Sequence, residues 1–423
     1  MTKRMRRSIV LLSIMLILST LTMSSCILMG YGRDHVTADD VQDIIDKGMN
    51  GNITVEGGDN YNVTINGADD DTVSVAKALL SSVSIKCVFK TVSYGTSYPS
   101  GIGGREKSAS GSGVIYKLDK NSGDAYVITN YHVVYHSQSN TENRISDDIK
   151  VYLYGQESDD YAIPATYVGG SMNYDLAVLK IDGSRILAES NAMAVSFADS
   201  DEVVVLDKAI AIGNPEALGI SATLGHVNVE SEYITMEGAD GVTAIQIRVM
   251  RMDTAVNSGN SGGGLFNKRG ELIGIVNAKL NNTDNMSYAI PSNFVKSVVD
   301  NILYYCDGTE LEGVYRCYLG ITVSASKLYT VYDAERGVVL KREQISIATV
   351  ENNGLAKNAL KVGDIINSIT IDGTRYDVYK MYIVTDSMLS ARVGSKVTVN
   401  VTRGGEVMDV EIEITESALT QVK

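Results

Sequence analysis

Tryptophan is absent from the 423-residue chain, and proline, phenylalanine and cysteine occur only four times each. The 39 glycines follow no Gly-X-Y period, which excludes a collagen-like structure. No Cys-x-x-Cys pair is present, which argues against a structural zinc site or a thioredoxin-like motif. Positive charge is in deficit: 37 Lys and Arg face 51 Asp and Glu, for a net charge of −14. Such a chain repels phosphate backbones, so nucleic acid is not an expected partner. What is present is ordinary globular material. Hydrophobic residues make up 44% and charged residues 21%, which excludes wholesale disorder. The length suits two or three domains.

Residues 1–25 read as a signal peptide. Lys3, Arg4, Arg6 and Arg7 precede an apolar run from Ile9 to Leu18, and small polar residues follow. Thr22-Met23-Ser24-Ser25-Cys26 resembles a bacterial lipobox, with Met23 where leucine is usual, and this makes Cys26 a candidate lipidation site. An uncleaved signal anchor is the other reading. Both place the remainder outside the cytoplasmic membrane and attach it to that membrane. Export permits disulfides. Cys306 and Cys317 are near enough in sequence to pair, whereas Cys87 falls in the alternating run Val83, Ile85, Cys87, Phe89 and reads as a buried free thiol.

Residues 26–75 are polar and read as a stalk, with Asn52–Val55 and Asn62–Ile65 able to form a hairpin around Gly57-Gly58-Asp59. From 76 to 304 the chain shows short Val- and Ile-rich segments between Gly, Asn, Asp and Ser clusters. Ser82–Phe89, Gly113–Lys117, Ala125–Thr129, Ile149–Leu153, Leu176–Ile181, Lys208–Ile212, Ala244–Val249 and Leu272–Val276 are examples. The pattern predicts a mainly β barrel or sandwich. Pro291–Tyr304 closes the unit as a helix, with Ser292 as N-cap and Phe294, Val295, Val298, Val299, Ile302 and Leu303 as its apolar face. A linker, 305–317, leads to a second β-rich unit, 318–416, with short helical segments near 355–360 and 381–389.

Three local sequences carry chemistry. His132 follows an apolar strand in Ile128-Thr129-Asn130-Tyr131-His132-Val133-Val134. Asp175 stands immediately before the buried strand Leu176–Ile181, where a carboxylate is costly unless it is hydrogen-bonded. Ser261 lies in the glycine-rich turn Asn257-Ser258-Gly259-Asn260-Ser261-Gly262-Gly263-Gly264. Each alone has an ordinary structural explanation as a turn residue, a cap or a flexible hairpin. Together, in the order His, Asp, Ser on a β background, they suit nucleophilic catalysis. A serine hydroxyl needs a base, a neutral imidazole serves near neutral pH, and a carboxylate fixes its tautomer. The backbone amides of Gly259 and Ser261 are candidate oxyanion donors, each worth about 3–4 kcal/mol when positioned.

The three segments resemble those of the HtrA/Deg family of trypsin-like serine proteases. Further agreement comes from Gly111-Ser112-Gly113-Val114-Ile115, Ala211-Ile212-Gly213-Asn214-Pro215, Ser221-Ala222-Thr223-Leu224-Gly225 and Tyr288-Ala289-Ile290-Pro291-Ser292. The resemblance implies a chymotrypsin-like double β-barrel followed by a small PDZ domain. Within that domain it makes Tyr318-Leu319-Gly320-Ile321 the loop that accepts a peptide carboxylate. It places Val256, Asn277 and Ala278 around the primary specificity pocket, with Lys279 at the rim, and makes Ser231–Gly241 a sensor loop. Gly264 departs from the usual proline and is expected to loosen the loop behind the nucleophile. The implied function is an envelope endopeptidase acting on misfolded or unfolded proteins, regulated by C-terminal peptides, forming a homotrimer and using no metal or organic cofactor. The rival is a catalytically silent PDZ or chaperone-like scaffold.

Overall fold

The computed structural model describes the strands 52–56 and 62–66 and residues 71–91, 105–279, 286–306 and 313–422. The signal peptide and Cys26 lie outside the described residues. In the N-terminal unit, β1 (Asn52–Glu56) and β2 (Asn62–Asn66) pair antiparallel, with Asn52 opposite Asn66 and Glu56 opposite Asn62.

The main unit opens with helix α1 (Asp71–Ser81), which runs directly into β3 (Ser82–Thr91). β3 is followed by β4 (Arg105–Asp119), β5 (Asp124–Thr129), the one-turn helix α2 (Tyr131–Val134), β6 (Asp148–Leu153), β7 (Ile163–Ser171), β8 (Leu176–Ile181) and, after the strands, the short helix α3 (Arg185–Glu189). The strands close an antiparallel barrel in the order β3-β4-β5-β8-β7-β6. Alternation in β3 sends Val83, Ile85, Cys87 and Phe89 inward, where all four are buried. Burial pushes the Cys87 thiol up to about 12, with Asp148 adding to the effect.

A second barrel comprises β9 (Lys208–Gly213), β10 (Ser221–Glu237), β11 (Ala244–Met252), β12 (Gly264–Phe266), β13 (Leu272–Lys279) and β14 (Ser287–Pro291). It closes in the order β10-β11-β14-β13-β12-β9. One hydrophobic cluster joins the two barrels: Val114, Ile128 and Val178 of the first meet Ile212, Ile275 and Ile290 of the second. Each such buried aliphatic side chain contributes about 1.5–3 kcal/mol. The seam between the barrels is therefore a packed core and a rigid support for side chains at its rim.

Helix α4 (Ser292–Tyr305) lays Phe294, Val295, Val298, Val299 and Ile302 against that core. Its start differs from expectation. Pro291, not Ser292, occupies the N-cap position, and the Ser292 hydroxyl donates instead to the Ala198 carbonyl (2.9 Å).

The stretch expected as a linker contains β15 (Val314–Cys317), which pairs with β22 (Leu419–Val422). Between them lie β16 (Ile321–Asp333), β17 (Val338–Val350), β18 (Ile365–Ile371), β19 (Thr374–Asp377), helix α5 (Met381–Ser387), β20 (Lys396–Arg403) and β21 (Glu406–Glu413). The sheet order is β16-β17-β18-β20-β21, with β19 beside β18. Val397, Val399 and Val401 alternate into a separate core with Ile345, Ile366 and Ile369. The helical segment near 355 is a single tight turn, Leu355–Asn358.

Cys306 and Cys317 are not paired. Both are buried thiols, and they donate to different carbonyls: Cys306 to Gly313 (3.1 Å) and Cys317 to Ala391 (3.4 Å). What ties the junction is Asn301, fully buried on α4. Its amide donates to the carbonyls of Tyr315 (2.6 Å) and Leu389 (2.8 Å), and its oxygen accepts the Tyr315 N–H (2.9 Å). Asn301→Ala leaves those backbone groups unpaired in the core. It should cost about 2–3 kcal/mol, read as a lower denaturant midpoint in chemical unfolding.

Candidate active site

His132 sits on the one-turn helix α2 (Tyr131–Val134), held by buried Val133 and Val134. The turn is pinned from behind: the Thr129 hydroxyl at the end of β5 donates to the Ser112 carbonyl (2.7 Å). A side chain at Gly111 would meet Val133 at 2.7 Å, so glycine is needed for β4 to approach this turn.

Asp175 precedes β8 in a left-handed conformation (φ 47°), which is strained for a residue with a Cβ. The strain is held by a hydrogen bond from the Asn130 amide to the Asp175 carbonyl (2.8 Å). The buried carboxylate accepts three further bonds. Oδ1 takes the His132 backbone N–H (3.0 Å), and Oδ2 takes His132 Nδ1 (2.7 Å) and the Asn277 side-chain amide (2.6 Å). With Nδ1–H donating to the carboxylate, Nε2 is left as the free acceptor, and the imidazole is about one-third exposed at 33%. Burial opposes protonation of His132. The Asp175 charge and hydrogen bond outweigh it and hold the pKa above the ordinary imidazole value.

The Ser261 loop is shaped by Gly259 (φ 97°) and Gly262 (φ 83°). A Cβ at Gly262 would lie 2.2 Å from the Ser112 carbonyl oxygen and 2.3 Å from Thr129 Oγ1, so no other residue fits there. Ser112 clamps the loop from the first barrel. Its N–H donates to the Ser261 carbonyl (2.8 Å), its hydroxyl donates to the Gly259 carbonyl (2.7 Å), and that hydroxyl accepts the Asn214 N–H (2.8 Å). The loop's own amides are then partitioned. Asn260 and Gly262 donate to the carbonyls of Asn257 and Val276, whereas those of Gly259 and Ser261 find no acceptor among the described residues. The Ser261 hydroxyl donates to the Asn277 carbonyl (3.2 Å), and no hydrogen bond joins it to His132 among the described residues. Asn277 therefore touches both ends of the constellation.

Beyond the strand-edge part expected of it, Asn277 turns its side chain to Asp175. Val256 is buried, and the backbone of Ala278 pairs with Tyr288. Gly264 does not loosen a loop. It is a buried residue of β12, opposite Ile212 and Ile275, and a Cβ there would sit 2.3 Å from the Phe266 ring. The segment 231–237 continues β10, and a turn follows in which the Gly238 N–H donates to Thr243 (2.7 Å).

In the C-terminal unit the expected carboxylate loop is partly committed. The Tyr318 N–H donates to the Ala418 carbonyl (2.8 Å), so that amide is occupied. Those of Leu319 and Gly320 have no acceptor among the described residues, and Ile321 opens β16. Gly320 (φ 77°) packs so closely on Gly354 that a Cβ would lie 2.3 Å from its Cα.

Arg248 on β11 gave no sign in the sequence. It is buried, donates to Asp386 of α5 (2.8 Å), lies 3.9 Å from Asp201, and its guanidinium sits 3.9 Å from the Tyr382 ring centre. Burial pushes the Asp386 carboxyl up to about 6, with the Arg248 charge pulling against it. Arg248 also approaches Phe294 (5.6 Å), which meets Tyr174 edge-on (5.0 Å), the residue before Asp175. Side-chain contacts thus run from α5 to the segment that carries the carboxylate.

Two closed antiparallel barrels with His132, Asp175 and Ser261 at their seam define a trypsin-like peptidase fold, and residues 111–275 match the family model described as trypsin-like peptidase domain. The periplasmic serine endoprotease DegP of Escherichia coli K12 is 33% identical over 330 residues, which are 76% of this chain and 60% of that protein. The serine protease Do-like HtrA of Lactobacillus helveticus is 30% identical over 323 residues, 73% of this chain and 69% of that protein. Among solved structures, HtrA-type protease AlgW with decapeptide aligns with a TM-score of 0.50 at 25% identity, covering 82% of this chain and 98% of that one. The chain belongs to the HtrA family of serine proteases. It spans about 60% of the length of the first curated relatives it matches.

With only four histidines in the chain, His132 can be followed individually by NMR titration. Its midpoint should lie above the ordinary 6.5. Asp175→Asn should bring it below that value, because burial then acts alone. Asn277→Ala should move it the other way. Losing a donor leaves more of the carboxylate's charge to stabilise the imidazolium.

Proposed function

We propose that this chain is an extracytoplasmic serine endopeptidase of the bacterial envelope that cleaves misfolded or unfolded proteins. The observation that carries the reading is the bonded carboxylate–imidazole pair beside Ser261, together with two unengaged amides on the same loop. In this mechanism His132 Nε2 takes the proton from Ser261 as the hydroxyl attacks the peptide carbonyl. The imidazolium formed is stabilised by Asp175. The amides of Gly259 and Ser261 receive the oxyanion, and His132 returns the proton to the leaving amine. Val256 suits a small or medium apolar side chain before the scissile bond.

The C-terminal unit reads as a PDZ domain. Peptide carboxylates would bind at Leu319, Gly320 and Ile321, with strand addition along β16. The Arg248–Asp386 pair offers a route by which such binding reaches the site. Attachment to the membrane would run through Cys26, lipidated at a sequence that resembles a lipobox, or through an uncleaved signal anchor; a homotrimeric assembly is what the family resemblance implies, and it implies no cofactor.

One observation favours the silent scaffold. The Ser261 hydroxyl rests on the Asn277 carbonyl rather than on His132. A fluorophosphonate probe separates the readings. The folded protein should label at Ser261, faster with C-terminal peptides present, and Ser261→Ala should abolish both labelling and casein degradation, the latter by about a millionfold. Absence of labelling with and without peptides would overturn the enzyme reading.

A further inference from the structure

The β16–β17 hairpin has an uncovered outer edge. Among the described residues β16 is the terminal strand of its sheet and pairs only with β17. The hairpin's other arm leans on the second barrel, where Lys341 pairs with Glu230 (3.2 Å), and its tip on the turn 200–202 that precedes β9, where Arg336 pairs with Glu202. A register shift between Ala325 and Lys327, where the Ser326 hydroxyl donates to the Gln344 carbonyl (3.0 Å), divides the β16 edge in two. Residues 321–325 adjoin the Gly320 loop. Residues 327–333 lie beyond the bulge.

This outer segment reads Lys-Leu-Tyr-Thr-Val-Tyr-Asp. Leu328 is 73% exposed and Tyr332 66%, and they share a face with Val339 (62%), which stands opposite Tyr332 on β17. Tyr329 and Val331 are exposed on the other face. Unpaired edges are ordinarily blunted by central charges, prolines or bulges. Here the centre is apolar and β-favouring, and the only charges stand at the two ends with opposite signs.

We propose that residues 327–333 pair antiparallel with the same residues of a second copy of this chain, across a two-fold axis at Thr330. Residues facing each other in an antiparallel ladder either both turn their backbone groups to the shared edge or both turn them away, so two facing residues of this same strand must be an even number of positions apart. A two-fold at Thr330 satisfies this. Lys327 then faces Asp333 of the second copy, Leu328 faces Tyr332, Tyr329 faces Val331, and Thr330 faces itself. Among two-fold antiparallel registers, this one sets both charges against opposite charges. Both are available. Lys327 makes no ion pair among the described residues and only lies 5.7 Å from the Tyr329 ring centre. Asp333 uses Oδ1 to cap the turn at Glu335 and Arg336, which leaves Oδ2. The contact is isologous, so each edge is consumed by one partner edge and none is left to propagate.

The test uses the full chain carrying Ser261→Ala and Cys26→Ser, whose remaining cysteines, Cys87, Cys306 and Cys317, are buried. Thr330→Cys should form an intermolecular disulfide under mild oxidation, because the two-fold brings position 330 against its own copy at bridgeable distance. Tyr329→Cys and Val331→Cys should link poorly alone and well when mixed. Adding Lys327→Asp to Thr330→Cys sets like charges opposite twice per pair and should lower the yield about tenfold. Reduced Thr330→Cys should melt with its parent, which checks the fold. Equal linking by Thr330→Cys and Tyr329→Cys alone would overturn the proposal. So would photocrosslinking from position 330 to unfolded casein with no chain-to-chain product, which would assign the edge to substrate.

Discussion

A buried carboxylate without donors is among the least tolerable features a protein interior can hold. Asp175 makes that constraint productive. Its donors come from α2 beside the first barrel and from β13 in the second, so its charge is satisfied only when both barrels are closed and docked. The left-handed backbone at Asp175 points the carboxylate into this position at a cost of about 1–3 kcal/mol, and Asn130 holds it there. The imidazole's orientation and raised basicity follow from the same group. Docking of the barrels and readiness of the base are thus one event rather than two.

The nucleophile loop obeys a related accounting. Ser112 reaches from the first barrel to take up the carbonyl of Gly259 and donate to that of Ser261. With those carbonyls satisfied and the neighbouring amides donating to Asn257 and Val276, two N–H groups remain with no acceptor among the described residues. An electropositive notch arises from ordinary hydrogen-bond bookkeeping, with no charged side chain and no metal required to create it. Glycine at 262 is what lets Ser112 and Thr129 come so near.

Much of this was legible in the residues. Short Val- and Ile-rich runs between turn-forming clusters located β3, β8, β9 and β13, and the ordered His, Asp and Ser segments led to the seam. What was not legible depends on partners far away in the chain. Asn277 sat in a strand that resemblance assigned to the pocket, and nothing local says that its amide crosses 102 positions to Asp175. Arg248 is one of two arginines in β11, and nothing local sets it apart until Asp386, 138 residues on, is packed against it. Gly264 was misleading for a nearer reason. Its lack of a side chain is matched to the Phe266 ring two residues later, a packing relation that backbone propensity does not encode. Cys306 and Cys317 are close in sequence, but Gly313 and Ala391 draw their thiols to separate partners. Ser292 has the chemistry of a cap and spends it on Ala198.

The β15–β22 pairing sets Val314 directly across from Val422, so the C-terminal unit enters and leaves through the same doorway, beside α4. A module with neighbouring ends behaves as a plug-in: it can be removed, replaced or rewired by circular permutation without stretching the chain that hosts it. Any polypeptide spliced on after Val422 would emerge at this hinge rather than at the sheet's far side. It would be delivered to the flank of the two barrels.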